Sequence, residues 1–239
     1  MRPQRRPEEK LADVNERIIS CTRCPRLVEY RQAVARNPPK RHISETYWAR
    51  PLPGFGDPEA LILVIGLAPA AHGGNRTGRM FTGDSSGNTL VKALYANNLA
   101  NIPYSISRDD GLRLKGCFLT AAIRCVPPHN TPLKEELENC YEYLSEEFDF
   151  LKRVRVIVAL GGLAFRASLK LLRDKGFSLL GSKPEFRHGK IYKFTQETTG
   201  KTIWLLATYH PSRRNTQTRL LTQRMLNNIF RHATRLAEI

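Results

Sequence analysis

Four short apolar runs separated by helical patterns constrain the fold of this chain more than any other feature. The runs are six to eight residues long and cover Leu61–Leu67, Gly116–Ile123, Arg155–Leu160 and Ile203–Thr208. Such runs, without polar alternation, are typical of strands that are buried on both faces of a parallel sheet. Helical periodicity covers about 87–98, 132–151, 162–175 and 216–236. The alternation predicts an α/β fold, a three-layer α/β/α sandwich around a central, mainly parallel four-stranded sheet.

Two further helical patterns, at about 8–20 and 25–36, precede the first strand. A segment rich in proline, arginine and aromatic residues (NPPKRHISETYWARPLPGFGDPEA) joins them to it. The sequence contains no internal repeat and no low-complexity linker. We therefore predict a single domain over 1–239, in which residues 1–60 form an N-terminal extension packed on the sheet.

The charge is large and unevenly spread. The 239 residues carry a net charge of +16, with +6 in residues 1–50, −4 in 101–150, +8 in 151–200 and +6 in 201–239. A charge that only aided solubility would be smaller and more even, so the pattern predicts a polyanionic partner on one face. No apolar run approaches the roughly 18 residues of a membrane span, and the amino terminus (MRPQRRPEEK) lacks an apolar signal segment. We expect a cytoplasmic, nucleoid-associated protein with no membrane partner.

Four cysteines form a candidate metal centre. Cys21 and Cys24 are spaced as C-x-x-C before the whole sheet, Cys125 follows the second strand, and Cys140 lies on the acidic helix. Four thiolates suit zinc or a [4Fe–4S] cluster, and their spacing does not separate the two. Cys117 lies within an apolar run and is predicted to be a core residue. The alternative is a set of unconnected buried thiols.

The loops that follow the strands are the other candidate site. The carboxyl ends of parallel strands meet at one edge of a sheet, where open α/β sheets bind ligands. The first loop, GLAPAAHGGNRTGRMFTGD, is rich in glycine, which lets backbone N–H groups approach an anion or a polar ring. It lacks the GK[ST] sequence of a triphosphate-binding loop. The last loop, YHPSRRNTQT, carries His210, whose alternative role is that of a buried structural histidine.

Together these motifs resemble the uracil-DNA glycosylase superfamily, and within it the type 5 (UdgB) family, which has a [4Fe–4S] cluster. G-x-A-P after the first strand, the Phe of MFTGD, the four cysteines and H-P-S after the last strand carry the resemblance, which runs from about Cys21 to the final helix. It implies a monofunctional DNA glycosylase that flips a deaminated base, uracil or also hypoxanthine or xanthine, out of DNA and hydrolyses its N-glycosidic bond. It further implies that the cluster is structural, bound by all four cysteines, and that residues 1–60 are the cluster-binding extension.

The resemblance also implies residue roles at the base. Phe81 would stack on the flipped base, with Gly66, Ala68 and His72 also in contact with it, and His210 would donate a hydrogen bond to the base carbonyl oxygen as negative charge develops there.

The chain departs from other branches of the superfamily at two positions. Leu67 and Ala68 occupy the slot of a water-activating carboxylate or amide, and Ala121 and Ala122 lie where some relatives have a base-reading asparagine. Asp84 is the first candidate to replace the missing group, unless it only caps a helix. Asn130 is the second, unless it only forms a turn.

Basic and hydroxyl side chains of the two loops are predicted to bind DNA phosphates. They are Arg76, Arg79, Ser212, Arg213 and Arg214. No lysine falls within the strand-end motifs, which excludes a Schiff-base lyase. We expect a monomer, and a non-catalytic iron–sulfur or zinc module that binds nucleic acid remains the alternative function.

Overall fold

The computed structural model describes residues 7–179, 181 and 183–238. A mixed sheet lies at the centre of this part of the chain. Its seven strands are β1 (Phe55–Gly56), β2 (Ile62–Gly66), β3 (Cys117–Ala121), β4 (Val156–Leu160), β5 (Phe177–Leu179), β6 (Ile191–Gln196) and β7 (Thr202–Thr208). They lie in the order β1-β3-β2-β4-β7-β6-β5. The central four, β3, β2, β4 and β7, are mutually parallel, while β1 and β6 run antiparallel to their neighbours.

The predicted fold class is confirmed, and the four apolar runs are the four parallel strands. The predicted four-stranded sheet was incomplete, because the sheet also has three outer strands, of which β1 and β5 form its edges. Two of these, β1 and β5, are only two and three residues long. The third, β6, has one fully buried residue, Phe194, among partly or fully exposed ones. Outer strands of this kind lack the continuous apolar run that marks a central strand.

Eight α-helices occur in the described residues. They are α1 (Pro7–Ile19), α2 (Pro25–Arg36), α3 (Gly74–Thr77), α4 (Ser85–Tyr95), α5 (Lys134–Phe150), α6 (Gly162–Asp174), α7 (Arg213–Gln217) and α8 (Gln223–Ala237). The last two replace the single helix predicted over about 216–236. The chain turns at Arg219, which has a φ of 57°, and Thr222 then caps α8 by accepting a hydrogen bond from the backbone N–H of Met225. No described helix has the length and apolarity needed to cross a membrane.

The sheet separates two apolar cores. Alternate residues of β2 point to opposite faces: Ile62 and Val64 join one core with α4 and α8, and Leu63 and Ile65 join the other with α5 and α6. Cys117 is fully buried in the first core, as predicted. These layers hold the four parallel strands in register, so that their carboxyl ends present one continuous edge.

The N-terminal helices lie against the rest of the chain on the side of α5. Val14 and Ile18 of α1 pack on Tyr143 of α5. Ion pairs from residues 17–26 to the same helix flank this contact: Arg17–Glu146, Arg23–Glu142 and Arg26–Glu136. The basic N-terminal segment is thus matched to the acidic face of α5.

Candidate active site

A cavity of about 310 Å³ opens at the carboxyl edge of the parallel strands. This volume is at the low end of the range of small-molecule pockets. Six of its lining residues were predicted site residues: Ala68, Phe81, Asp84, Asn130, His210 and Ser212. Six others were not: Leu67, Pro69, Ala70, Gly74, Met80 and Ser86. The loops after β2, β3 and β7 therefore converge, and most of the added lining is apolar.

Phe81 lies directly over the end of β2. Its ring approaches Gly66 so closely that a Cβ at Gly66 would lie 2.5 Å from its Cζ atom. The backbone of Phe81 is left-handed, with a φ of 50°, which is uncommon outside glycine. Gly87 of α4 packs against the carbonyl oxygen of Phe81, where a Cβ would lie 2.1 Å away. Two glycines therefore make room for an aromatic ring at the pocket wall.

His210 lies just after β7, with part of its surface on the pocket. Asn215 fixes the backbone there, because its Nδ2 donates to the carbonyl oxygen of His210 at 2.8 Å. The protein surrounds the rest of the ring, and this burial lowers the pKa of His210 to about 4. The imidazole is therefore neutral at physiological pH, and it can donate one N–H to a ligand without a charge.

Asp84 caps a helix, and its carboxyl group also lines the pocket. Its Oδ1 atom caps α4 by accepting from the backbone N–H of Gly87 at 2.7 Å. Its Oδ2 atom faces Gly73, where a Cβ would lie 2.3 Å away. Burial raises the pKa of Asp84, while hydrogen bonds from the Gly87 and Ser86 backbone and the charge of Arg76 oppose the shift. The helix cap therefore holds a desolvated carboxyl group at the pocket wall.

Asn130 ends a short 3₁₀ turn, Pro128–Asn130, after β3. Both His129 and Asn130 have left-handed backbones, with φ of 54° and 55°. The backbone N–H of Asn130 donates to the carbonyl oxygen of Pro127 at 3.2 Å and closes the turn. Asn130 is therefore a turn residue whose side chain also lines the cavity.

A second, more open groove of about 650 Å³ adjoins the pocket. Ala70, Asp84 and Asn130 line both. The groove contains the predicted residues His72 and Arg213, and Arg41 and His42 from the N-terminal segment. His72 therefore lies beside the base pocket, on this groove.

The phosphate-binding role predicted for Arg79 is wrong. Only 5% of its side chain is exposed, and its Nη2 atom contacts both carboxylate oxygens of Asp110, at 2.9 and 2.7 Å. Nε and Nη1 are bound to the Thr82 hydroxyl and the Arg108 carbonyl. Arg79 joins two loops internally, so its charge does not reach a ligand.

Arg76 is also committed to internal contacts. Its side chain is 13% exposed and pairs with Glu45. It also donates to the carbonyl oxygens of His72 at 2.8 Å and Gly83 at 3.0 Å. The structure contradicts a direct phosphate role for it as well. Arg213 and Arg214, in contrast, are exposed at the start of α7, and Ser212 caps that helix.

The four cysteines are neighbours although they come from distant parts of the chain. Cys24, Cys125 and Cys140 share one apolar cluster with Leu27 and Ile123. Burial raises the pKa of Cys125 to about 12 and that of Cys140 to about 11, and the Cys21 thiol is close enough to add to both shifts. As they stand, no three His, Cys, Asp or Glu side chains of the described residues form a group that could hold a metal ion.

The donor set nevertheless fits an iron–sulfur cluster chemically. Four thiols converge, and N–H groups point at two of the sulfurs: Arg31 Nη1 lies 3.1 Å from Cys125 Sγ, and Asn139 Nδ2 lies 3.6 Å from Cys24 Sγ. Hydrogen bonds to sulfur are a feature of cluster sites. Neither partner was predicted, because each is distant in the chain from the sulfur that it contacts. The metal centre itself stays a prediction.

The fold and the pocket together define an α/β protein with a small pocket at the strand ends, lined by an aromatic ring and a neutral histidine. A model of the uracil DNA glycosylase superfamily matches residues 53–234. The chain is 48% identical over 221 residues to the type-5 uracil-DNA glycosylase of Thermus thermophilus, covering 92% of this chain and 95% of that protein. It is 45% identical to the type-5 enzyme of Pyrobaculum aerophilum, over 92% and 91% of the two chains.

A more distant relative is the type-4 uracil-DNA glycosylase of Archaeoglobus fulgidus, 29% identical over 205 residues. The chain belongs to the uracil-DNA glycosylase superfamily, and within it to the type 5 family. It is therefore an enzyme that hydrolyses N-glycosyl bonds, as predicted.

Proposed function

We propose that the protein removes deaminated bases from DNA: it flips the damaged nucleotide into the 310 Å³ pocket and hydrolyses its N-glycosidic bond, leaving an abasic site. Uracil is the expected substrate, and hypoxanthine and xanthine are further candidates. The observation that carries the proposal is that Phe81 and His210 line the same pocket at the strand ends. The cytoplasm, at the nucleoid, is the corresponding location, and a monomer suffices.

Phe81 provides the surface on which the flipped base stacks. The ring is held by Gly66 below it and by the left-handed backbone that Gly87 accommodates. Leu67, Ala68 and Met80 add apolar surface. Stacking on an aromatic ring is worth about 1–3 kcal/mol per base and does not select one base strongly. This apolar lining is consistent with a substrate range wider than uracil.

His210 stabilises the leaving base. As the glycosidic bond lengthens, negative charge collects on the base, and a neutral N–H donor aimed at its carbonyl oxygen stabilises that charge. The lowered pKa of His210, about 4, keeps the ring neutral, so it acts as a fixed hydrogen-bond donor and transfers no proton. Asn215 holds the backbone that orients it.

Asp84 and Asn130 act on the sugar side. A carboxylate at the pocket wall stabilises the positive charge that develops on the sugar, and the Asn130 amide orients water towards it. Leu67 and Ala68, which occupy the slot of the general base in other branches, cannot do this. Asp84 reaches the pocket from the start of α4 instead.

Phosphate binding falls to the residues at the start of α7. Ser212, Arg213 and Arg214 follow His210 directly, and both arginines are exposed. Cys21, Cys24, Cys125 and Cys140 would hold the [4Fe–4S] cluster, whose role is structural. It would cross-link the start of α2, the end of β3 and the middle of α5, and so fix residues 1–60 beside the sheet.

The test is excision from oligonucleotides that contain uracil, hypoxanthine or xanthine, followed by alkaline cleavage of the abasic sites. The wild-type protein should cut at uracil. His210→Ala should be slower by about 10²–10³-fold while it binds an abasic-site analogue normally, because only the donor to the leaving base is lost. No cleavage with any of the three bases would favour the non-catalytic binding module. Equal loss of binding and excision in His210→Ala would make His210 structural.

A further inference from the structure

The groove beside the catalytic pocket is continuous with it and has a different chemistry. The pocket is lined mainly by apolar side chains, whereas the groove contains Arg41, His42, His72 and Arg213. Its wall also includes the polar side chains of Ser85 and Asn88. A strand whose base occupies the pocket must pass its sugar and phosphates along an adjoining surface.

We propose that this groove binds a phosphodiester next to the flipped nucleotide, and that Arg41, from the segment before the sheet, is the cation that holds it. The proposal rests on the proposed function, because it needs a flipped nucleotide in the pocket. It adds a residue that lies outside the superfamily match at residues 53–234. The N-terminal segment then contacts DNA directly, besides contributing cysteines.

The guanidinium of Arg41 is oriented by its neighbour. Its Nε atom donates to His42 Nε2 at 3.1 Å, and His42 Nδ1 lies 2.6 Å from a carboxylate oxygen of Glu45. Since Nε2 accepts, the proton of His42 is on Nδ1, where it donates to Glu45. No hydrogen bond from either Nη atom of Arg41 occurs within the described part of the chain. The N–H groups on these two atoms are therefore available to bind two oxygens of a phosphate.

Side-chain contacts fix this segment to the glycine-rich loop. Glu45 pairs with Arg76, which in turn donates to the carbonyl oxygens of His72 and Gly83. The Tyr47 hydroxyl lies 2.9 Å from His72 Nδ1, and the Tyr47 side chain is buried. Arg76 therefore positions the groove wall, and Arg41 is the cation that the wall presents.

The local charge balance favours an anion. Glu45 is neutralised by Arg76, with His42 hydrogen-bonded to it, and the hydrogen bond from His42, assisted by Arg76, lowers the pKa of Glu45. Asp84 also lines the groove, where Arg41 and Arg213 outnumber its carboxyl group. Arg41, from the segment before the sheet, and Arg213, at the start of α7, both line the groove. Two cations therefore lie along the path of one DNA strand.

The first measurement compares Arg41→Gln with Arg173→Gln. Arg173 is 76% exposed in the last turn of α6, which returns to the opposite edge of the sheet, so the two variants change the net charge equally. Binding is measured to an oligonucleotide with a tetrahydrofuran abasic analogue between about 50 and 200 mM salt. We expect Arg41→Gln to bind roughly ten-fold more weakly, with a salt slope smaller by about one. Arg173→Gln should match the wild type, and equal effects would overturn the proposal.

The second measurement identifies the phosphate. A neutral methylphosphonate replaces one linkage at a time around the abasic analogue. In the wild type, one linkage adjacent to the lesion should weaken binding when it is neutralised, and in Arg41→Gln the same replacement should have no further effect. Independent, additive losses would overturn the proposal. Uracil excision by the wild type is measured in parallel: its failure would reject the proposed function, whereas normal excision with additive losses would reject only the groove.

Discussion

At the scale of single residues, the candidate site depends on groups that are kept uncharged or desolvated. His210 is neutral because burial lowers its pKa to about 4, and burial raises the pKa of Asp84 at the other wall. Leu67 and Met80 exclude water between them. In such surroundings a fixed hydrogen-bond donor stabilises charge more strongly than it does in water.

Gly66 should be required for activity because Phe81 occupies the space of its absent side chain. In Gly66→Ala the new Cβ would lie 2.5 Å from Phe81 Cζ, so the ring must move. We expect kcat/KM for uracil excision to fall by on the order of 10²-fold, since a displacement of about 1 Å can have that effect. Gly162→Ala, at the start of α6 just after β4, is the control: its Cβ would meet Phe186 at an ordinary 3.8 Å. An unchanged kcat/KM in Gly66→Ala would show that the ring is not the base platform.

The pKa of His210 also predicts how stability depends on pH. Between the ordinary histidine pKa of about 6.5 and the folded-state pKa of about 4, only the unfolded chain binds this proton. The free energy of unfolding therefore rises with pH in this window. The part that the neutral histidine contributes is lost as the pH falls from about 6.5 to about 4. His210→Asn removes the titration, so its Tm should fall less steeply than that of the wild type from pH 7 to 4.5. Parallel curves would mean that the histidine titrates normally.

Residue positions at the pocket were predictable where they depended on the motif and not where they depended on burial. Phe81, Asp84 and His210 were found because each lies next to a strand end or glycine loop that the sequence displays. Arg79 was misassigned because its partner, Asp110, is 31 residues away and nothing in the local sequence marks either as buried. The local sequence around a charged residue next to an active-site motif does not distinguish a residue that contacts DNA from one that supports a loop.

At the scale of elements, Arg79 and Asp110 join the loop that carries Phe81 to the loop before β3. Asp110 also accepts hydrogen bonds from the backbone N–H groups of Ile106 and Leu112. The Ser105 hydroxyl contacts both Arg79 and Thr82. This buried network orders a segment without regular secondary structure, and so holds the left-handed turn at Phe81.

Breaking this pair should reduce stability without changing the electrostatics of DNA binding. Arg79→Gln leaves the Asp110 carboxylate buried without its partner, which typically costs about 3–5 kcal/mol of unfolding free energy. Arg213→Gln should have the opposite profile, with little change in stability and a salt slope smaller by about one. Urea unfolding and salt titration of binding to the abasic analogue measure the two quantities. A reduced salt slope in Arg79→Gln would mean that Arg79 does contact a DNA phosphate.

The elements themselves were predictable in proportion to how completely they are buried. The four central strands appear in the sequence because both faces are apolar, and each was found within one or two residues. The outer strand β6 was missed because only Phe194 of its six residues is buried. The break between α7 and α8 was missed because helical periodicity continues through it, while Thr222 capping and a left-handed Arg219 end and restart the helix.

At the scale of the whole molecule, two opposite charge patterns divide the surface. The acidic face of α5 is paired with arginines from residues 17–26, while Arg41, Arg213 and Arg214 lie on the side of the pocket. The net charge of +16 counts each such pair as zero, so it measures the excess of basic over acidic residues in the whole chain. The sequence predicted the polyanionic partner from this excess, but it could not show that part of the N-terminal charge is used internally.

The four cysteines of the proposed cluster should determine whether the N-terminal segment stays packed against the rest of the chain. The three ion pairs to α5 involve partly exposed arginines, and such pairs contribute only about 0–1 kcal/mol each and are screened by salt. Val14 and Ile18 add a small apolar contact. Without the cross-link proposed between Cys21, Cys24, Cys125 and Cys140, the segment is held by these contacts together with the Glu45–Arg76 pair and the Tyr47–His72 hydrogen bond.

Cys21→Ser/Cys24→Ser should therefore lose iron and visible absorbance, and it should become sensitive to trypsin before the first strand, more so at high salt. Cys117→Ala is the control, because Cys117 is buried in the core beneath α4 and α8, so this variant should retain iron at a lower Tm. Iron content, the visible spectrum and the mapped cleavage sites are the measurements. If the double variant kept stoichiometric iron, the two cysteines would not be ligands. If it lost iron but stayed resistant to trypsin at high salt, the side-chain contacts alone would be enough to hold the segment, and the cluster would need another role.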